Sequence, residues 1–178
     1  FYGNVCYFCG YSSDTECLGL NRIDILKKEF SKDNVIIACA DCKKSRMGMP
    51  IPDFIKACGN IVNYQFLSVM NTEMIPHVQG GKLMCKGRPY SKFLQQAREK
   101  GRGVELTEEE YNKIQNESNC YLCGVKAILG PDRKDNTVFD YTKANSWPCC
   151  STCNYMKREL PFDFFVAKCQ KVVSKNSA

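Results

Sequence analysis

Eight of the thirteen cysteines in this 178-residue chain form four Cys-x-x-Cys pairs. They make two sets: Cys6, Cys9, Cys39 and Cys42, and then Cys120, Cys123, Cys150 and Cys153. Four thiolates at such spacing are typical of a closed tetrahedral zinc site, with no coordination position left for water. We therefore predict two structural Zn²⁺ ions. Iron–sulfur ligation and disulfides are the alternatives. Two separated Cys-x-x-Cys pairs match zinc spacing better than iron–sulfur spacing, and adjacent Cys-x-x-Cys pairs are poor long-range disulfide crosslinks.

Five cysteines lie outside these sets: Cys17, Cys58, Cys85, Cys149 and Cys169. Cys149 could compete with Cys150 as a ligand, but the first set has Ala38 at the equivalent position, which favours Cys150. Cys58 and Cys169 are predicted to be small buried side chains on helix faces. Thiol-rich metal sites indicate a reducing intracellular compartment (cytosol, nucleus or organelle matrix) or a virion, and not secretion.

The first half of the chain is a degenerate copy of the second half. The two Cys pairs are separated by residues 10–38 in the first copy and by residues 124–149 in the second. Apart from this difference in length, the copies align at one constant offset. The matched residues include Arg22 with Arg133, Asp24 with Asp135, Phe30 with Tyr141, Asn34 with Asn145, Pro50 with Pro161 and Cys58 with Cys169. Agreement over this length without slippage indicates duplication and one shared fold.

Each copy predicts a knuckle, a short strand, a polar turn, an extended piece, a helix leaving the second Cys pair and a final helix after proline. This order indicates an α+β fold of two tandem treble-clef, or ββα-metal, modules joined by a helical segment. The predicted domains are a degenerate module at 1–66, a connector at 67–90, a helical lead-in at 91–117 and a second module at 118–175. Thr107 and Glu110 predict a capping box within the lead-in.

The net charge of +6 is compatible with a polyanionic partner without requiring one. No apolar run approaches the ~20 residues that span a bilayer, so a membrane partner is not expected. The chain begins at Phe1, without a methionine or an apolar leader, which suggests a processed chain or a fragment.

Residues 90–173 resemble the HNH endonucleases of phages and large viruses. The resemblance rests on ordered motifs that read here "RG", "LTEEEY", "DRKDN", "YT", "PCCSTCNYMK" and "DF". Residues 1–66 resemble the same family only through the cysteines, "NRID" and Asn34. The family implies a ββα-metal site in which a histidine activates water and a divalent metal such as Mg²⁺ holds the scissile phosphate.

Carried onto this chain, the resemblance gives the candidate catalytic residues Asp132, Arg133, Asp135, Asn145 and Asn154. Arg133 stands where the family has its base histidine, and Arg22 stands there in the first module. An arginine cannot act as that base, because its pKa stays above ~12, although it can clamp a phosphate. The single histidine, His77, lies in the connector. An alternative interpretation is that Asp132 and Asp135 only cap turns and pair with Arg133 or Lys134.

Basic residues recur near the second Cys pair of both copies. The candidate nucleic-acid-binding residues are Arg22, Lys43, Lys44, Arg46, Arg133, Lys157 and Arg158. A second basic run, "REKGRG" with Lys86, Arg88 and Lys92 nearby, lies on the lead-in. Trp147 is predicted to cover the zinc site as a core residue.

Three functions fit these observations. The first is a catalytically impaired HNH-like protein that binds DNA or RNA, in a ribonucleoprotein or a virus particle. The second is an active endonuclease dependent on a divalent metal. The third is an adaptor between other proteins of a large assembly. The missing histidine favours the first function over the second, and the recurring basic residues favour it over the third.

Overall fold

A computed structural model describes residues 5–13, 18–76, 78–79, 82–83 and 87–177. The strands are β1 (Gly19–Arg22), β2 (Val35–Ala38), β3 (Val78–Gln79), β4 (Lys82–Leu83), β5 (Gly130–Arg133) and β6 (Ser146–Cys149). The helices are α1 (Ala40–Arg46), α2 (Ile51–Leu67), α3 (Tyr90–Glu99), α4 (Glu108–Asn116), α5 (Ser151–Lys157) and α6 (Phe162–Asn176). The α+β fold class is confirmed. Cys17, His77, Cys85 and Lys86 lie outside the described residues.

The duplication in the sequence is a duplication in the structure. β1 pairs with β2 in antiparallel register, with Gly19 opposite Ala38, and β5 pairs with β6 with Gly130 opposite Cys149. Helices α1 and α5 then leave the second Cys pair at equivalent residues, and α2 and α6 each follow a proline. Each module is therefore a two-stranded hairpin followed by two helices.

A glycine closes the first knuckle of each module. Gly10 and Gly124 have left-handed backbone, with φ of 70° and 72°. Their N–H groups donate to the carbonyl oxygens of Cys6 and Cys120 at 2.9 and 2.7 Å. The turn brings both thiols of the pair to one side, and glycine adopts the left-handed conformation at little steric cost.

The two modules pack against one another with approximate two-fold symmetry. Helix α2 lies against α6 and α1 lies against α5, and one hydrophobic core runs through both modules. Gln65 near the end of α2 donates to the carbonyl of Leu122 at 2.9 Å, and the equivalent Asn176 in α6 donates to the carbonyl of Phe8 at 2.9 Å. Each final helix thus braces the knuckle of the other module.

The cysteines on these final helices are buried as predicted. Cys58 is 1% exposed and Cys169 is 2% exposed, and both belong to the shared core. Burial and the neighbouring Cys58 thiol raise the pKa of Cys169. Both side chains therefore act as small apolar packing groups.

The lead-in forms a second, smaller core against the second module. Phe93, Leu106 and Tyr111 are buried there with Tyr141 packed against them. The capping box at Thr107 and Glu110 is confirmed, with bonds of 2.8 and 3.2 Å between each side chain and the other residue's N–H. The connector contains the β3–β4 hairpin, which was not predicted. No helix of the described residues is long and apolar enough to cross a membrane.

Candidate zinc centres and nucleic-acid interface

The two cysteine quartets each converge on one point. In both, the four Sγ atoms lie within 4.8 Å of one another and all four side chains are buried. The Sγ atoms of Cys9 and Cys39 are 3.9 Å apart, as are those of Cys123 and Cys150. Tetrahedral Zn²⁺ with Zn–S bonds of ~2.3 Å requires S···S edges of ~3.8 Å, so both quartets fit a structural zinc ion. The eight predicted ligands are the members of these two quartets, and the second quartet contains Cys150 and not Cys149.

The pKa shifts within the quartets run in both directions. The pKa is lowered for Cys6, Cys39 and Cys120, and it is raised for Cys9, Cys42, Cys150 and Cys153. Burial raises the pKa of the Cys120 thiol, but hydrogen bonds from the surrounding thiols outweigh burial and hold that pKa well below its usual value. The N–H of Cys153 also donates to the Sγ of Cys150 at 3.4 Å, from the first turn of α5. Zinc binds thiolate and not thiol, so the lowered pKa of Cys120 favours metal binding, and the thiols that remain protonated lose their protons when the metal binds.

The second module also supplies a cation to the first cluster. Lys168 on α6 reaches across the interface and pairs with Asp41 at 3.2 Å. Burial lowers the pKa of Lys168, but the charges of Cys39, Cys9 and Cys42 outweigh it and raise that pKa. The packing of the modules thus contributes to the charge balance of a zinc site.

Asp132, the first candidate metal ligand of a nuclease site, is buried and has partners inside the protein. It is 6% exposed, accepts a hydrogen bond from Tyr121 Oη at 2.7 Å and pairs with Lys157 Nζ at 3.2 Å. Both contacts use the same carboxylate oxygen, Oδ2. Burial raises the pKa of Asp132, against the opposing effect of Lys157 and Tyr121. The carboxylate therefore has a structural partner where a nuclease would hold its metal.

Asp135 and Asn145 fold the loop after β5. Asp135 Oδ1 accepts bonds from the N–H and the hydroxyl of Thr137 at 2.8 and 2.7 Å, and these bonds lower the pKa of Asp135. Asn145 Oδ1 accepts a bond from the N–H of Asp135, and Asn145 Nδ2 donates to the carbonyl of Asp135, each at 2.8 Å. The first module repeats this with Asn34 and Asp24. Asp135 thus caps a turn, while the ion pair of Asp132 is with Lys157 and not with Arg133 or Lys134.

Arg133 is directed into its own loop. Its guanidinium donates to the carbonyls of Val138 and Phe139 at 3.1 and 3.0 Å and lies over the Tyr141 ring at 5.9 Å. The side chain is 6% exposed. Arg22 in the first module donates likewise to the carbonyl of Lys27 at 2.9 Å. Among the described residues, the two Cys quartets are the only groups of three or more His, Cys, Asp or Glu able to hold a metal.

Two of the predicted nucleic-acid-binding side chains are buried and contact backbone carbonyls. Arg46 is 1% exposed and Lys157 is 0% exposed. Arg46 donates to the carbonyls of Met49 and Ile23, both at 2.6 Å, and Lys157 donates to the carbonyl of Arg133 at 2.9 Å. The last turn of α1 or α5 faces the end of the first strand, so these long side chains fold inward onto backbone carbonyls.

Trp147 is also placed differently from the prediction. Its side chain is 38% exposed, because β6 belongs to a two-stranded sheet and one face of that sheet is open to solvent. The ammonium of Lys134 lies 4.3 Å from the centre of its ring. Trp147 is therefore a surface residue beside the second zinc cluster.

A groove of about 1070 Å³ lies between the lead-in, helix α1 and the second module. Its wall includes Asp132, Arg133 and Asn154 of the candidate catalytic set, whereas Asp135 and Asn145 are not part of the wall. The cations that line it and reach solvent are Lys44, Arg88, Lys100, Arg102 and Arg158. Arg102, Lys100 and Arg88 come from the predicted basic run. Lys43 is exposed on α1 but does not line the groove.

The groove has few acidic groups to offset these cations. Asp41 and Glu159 line it in addition to the buried Asp132. Asp41 is neutralised by Lys168. The Nε of Arg102 is buried and has no hydrogen-bond partner among the described residues, while its guanidinium lies 5.4 Å from the Phe139 ring. The arrangement favours an anionic ligand.

The chain is similar to a protein described as "Uncharacterized protein R423" of Acanthamoeba polyphaga mimivirus, with 27% identity over 179 residues. The match covers 97% of this chain and 32% of the relative, so the chain spans about a third of that protein's length. No family model and no solved structure matches the chain.

Proposed function

We propose that this chain is an HNH-like zinc protein that binds nucleic acid in the groove without cutting it. The observation that carries the proposal is the excess of solvent-reaching cations, five against the two acids Asp41 and Glu159. Phosphate neutralisation by such cations supplies most non-specific affinity for nucleic acid. The family resemblance of residues 90–173 supports the same face, since it lies beside the helix that leaves the second Cys pair.

The contacts of the candidate catalytic residues support the second part of the proposal, that the chain does not cut nucleic acid. A hydrolytic site needs a proton acceptor near neutral pKa and a metal with open positions. Asp132 is held by Lys157 and Tyr121, and Arg133 is held by carbonyls of its own loop. Opening this site to Mg²⁺ would require breaking a buried ion pair.

The test is binding of fluorescently labelled duplex DNA, single-stranded DNA and RNA over a range of salt concentrations. The groove variant Lys44→Glu/Lys100→Glu/Arg158→Glu has its control in Lys27→Glu/Lys56→Glu/Lys171→Glu, three exposed lysines outside the groove with the same change in charge.

Wild-type affinity is expected to fall steeply with salt. In the groove variant the slope of log K against log salt should decrease by about 2–3, since each phosphate contact contributes roughly 0.7–0.9. The control variant should keep most of the slope. Undetectable binding at low salt, or equal loss in both variants, contradicts the proposal and favours a protein–protein adaptor. Plasmid nicking with Mg²⁺ or Mn²⁺ that Asp132→Ala abolishes would instead establish an active nuclease.

A further inference from the structure

The loop after the first strand of each module ends in the same four-residue pattern, which we call the docking segment. It reads Glu29, Phe30, Ser31 and Lys32 in the first module, and Asp140, Tyr141, Thr142 and Lys143 in the second. In both modules the strand arginine lies over the aromatic ring, with Arg22 at 5.5 Å from Phe30 and Arg133 at 5.9 Å from Tyr141. The two segments therefore have the same chemistry and the same presentation.

In the second module the lead-in covers this segment. Tyr141 N–H donates to the carbonyl of Gly103, and Glu105 N–H donates to the carbonyl of Tyr141, both at 2.9 Å. Asp140 accepts a bond from the N–H of Gly103 at 2.6 Å. The Tyr141 ring packs edge-on against Phe93 at 5.0 Å. Backbone pairing and an aromatic contact thus join the lead-in to the docking segment.

A charge contact completes this interface. Lys143 pairs with Glu110 at 2.8 Å, in the first turn of α4, and its N–H donates to Glu105 at 3.2 Å. The lead-in therefore recognises each member of the pattern except the hydroxyl residue: the acid through a backbone N–H, the aromatic residue through strand pairing and packing, and the lysine through carboxylates.

The same surface of the first module faces solvent. Phe30 is 62% exposed, and the neighbouring Leu26 and Ile25 are 86% and 39% exposed. Arg22 is half-buried, whereas Arg133 beneath the lead-in is 6% exposed. A cluster of large apolar side chains at this exposure marks an interaction surface.

We propose that the first-module docking segment binds a second helix–strand–helix segment of the lead-in type, supplied by a separate protein. The chain's own residues 90–116 are already engaged by the second module and do not serve as this partner. The partner would present an extended Gly–apolar–Glu piece to pair with the backbone of Phe30 and an aromatic face to cover its ring. The mode is strand addition with an aromatic anchor. This inference does not depend on nucleic-acid binding.

The probe is a labelled synthetic peptide of residues 87–117, titrated with the full 178-residue chain and followed by fluorescence anisotropy. The covalently attached lead-in has an effective concentration of the order of millimolar, so micromolar peptide leaves the second module covered. Phe30→Ser is expected to weaken binding at least about tenfold, as removal of an aromatic anchor does. Phe164→Ser, at another exposed phenylalanine, should bind like wild type. A peptide with Glu105→Pro lacks the N–H that pairs with the docking segment. It should bind the wild-type chain as weakly as the unmodified peptide binds the Phe30→Ser chain.

Zinc content and thermal unfolding of Phe30→Ser should match wild type, because the side chain is mostly in solvent. Absence of saturable binding, or binding that Phe30→Ser leaves unchanged, overturns the proposal. If analytical ultracentrifugation shows that the chain self-associates without peptide and that Phe30→Ser abolishes this, the occupant is a second copy, and the choice of a separate protein is overturned.

Discussion

Removing the buried ammonium of Lys157 tests the structural account of the candidate catalytic site. Lys157 is 0% exposed and pairs with Asp132, whose side chain is 8% exposed. Removing one partner of such a pair leaves the other charge buried and costs about 3–5 kcal/mol. We therefore expect Lys157→Met to lower the free energy of unfolding by that amount. Lys171→Met on the exposed side of α6 should change it by no more than about 0.5 kcal/mol.

A second substitution separates the charge from the packing. The residue equivalent to Asp132 is Asn21, and it accepts a bond of 3.1 Å from Arg46. The fold therefore accommodates a neutral amide at this place. Asp132→Asn added to Lys157→Met should recover at least about 1–2 kcal/mol, since neighbouring groups couple by roughly 0.5–3 kcal/mol in such cycles. Urea unfolding with excess Zn²⁺, followed by the fluorescence of the single tryptophan, Trp147, measures wild type, both single variants, the double variant and the Lys171→Met control.

The pH dependence of Lys157→Met provides an independent check. Burial raises the folded-state pKa of Asp132 above its ordinary 3.8, and loss of Lys157 removes an opposing charge, so that pKa rises further. A group with a raised folded pKa stabilises the fold in its protonated form. The difference in the free energy of unfolding between Lys157→Met and wild type should therefore become smaller as pH falls through the raised pKa of Asp132 towards 3.8. A cost below about 1 kcal/mol, or a double variant no better than the sum of both single variants, would refute this account.

Three further outcomes are expected. Chelation of zinc should unfold the chain, with metal analysis giving two Zn²⁺ per folded chain and one after replacement of a single cysteine in either quartet. Gly124→Ala should lower the melting temperature more than Gly10→Ala does. Both glycines have left-handed backbone, but the added Cβ overlaps the Tyr64 ring only at Gly124, whereas at Gly10 it meets Lys175 at 3.8 Å. Burial and the charge of Asp132 raise the pKa of Tyr121 above 10, so its stabilisation is present below pH 10 and lost above it, and Tyr121→Phe should flatten the alkaline loss of stability.

Local patterns allowed much of this structure to be predicted. Ligand identity follows from thiol spacing, because only a short turn separates the cysteines of each pair. The loop that Asn145 closes on Asp135 recurs as Asn34 on Asp24, and the constant offset between the copies made this equivalence visible. Features set by sequence neighbours, such as knuckles, caps and the order of elements, were therefore accessible without tertiary information.

The direction of the long cationic side chains could not be predicted. Lysine and arginine have flexible stems, and their sequence position does not say whether the charged end meets solvent or a buried carbonyl. Arg46 and Lys157 turn inward because strand carbonyls lie beside the last turn of each helix, which only the assembled module shows. The groove could not be predicted from the sequence for a similar reason, since its walls come from segments that are distant in sequence.

Recurrence between the two copies, which favoured nucleic-acid binding at the level of sequence, instead marks structural cations. Arg22 and Arg133 recur and are tied to their own loops, and Arg46 and Lys157 recur and are buried. The exposed groove cations do not recur: the residue equivalent to Lys44 is Tyr155, and the residue equivalent to Arg158 is Met47. Duplicated modules share the residues that stabilise their common fold. A ligand that lies across an asymmetric groove instead requires charges at positions that differ between the two copies. The cations that differ between the copies are therefore the ones to mutate in a test of the proposed polyanion binding.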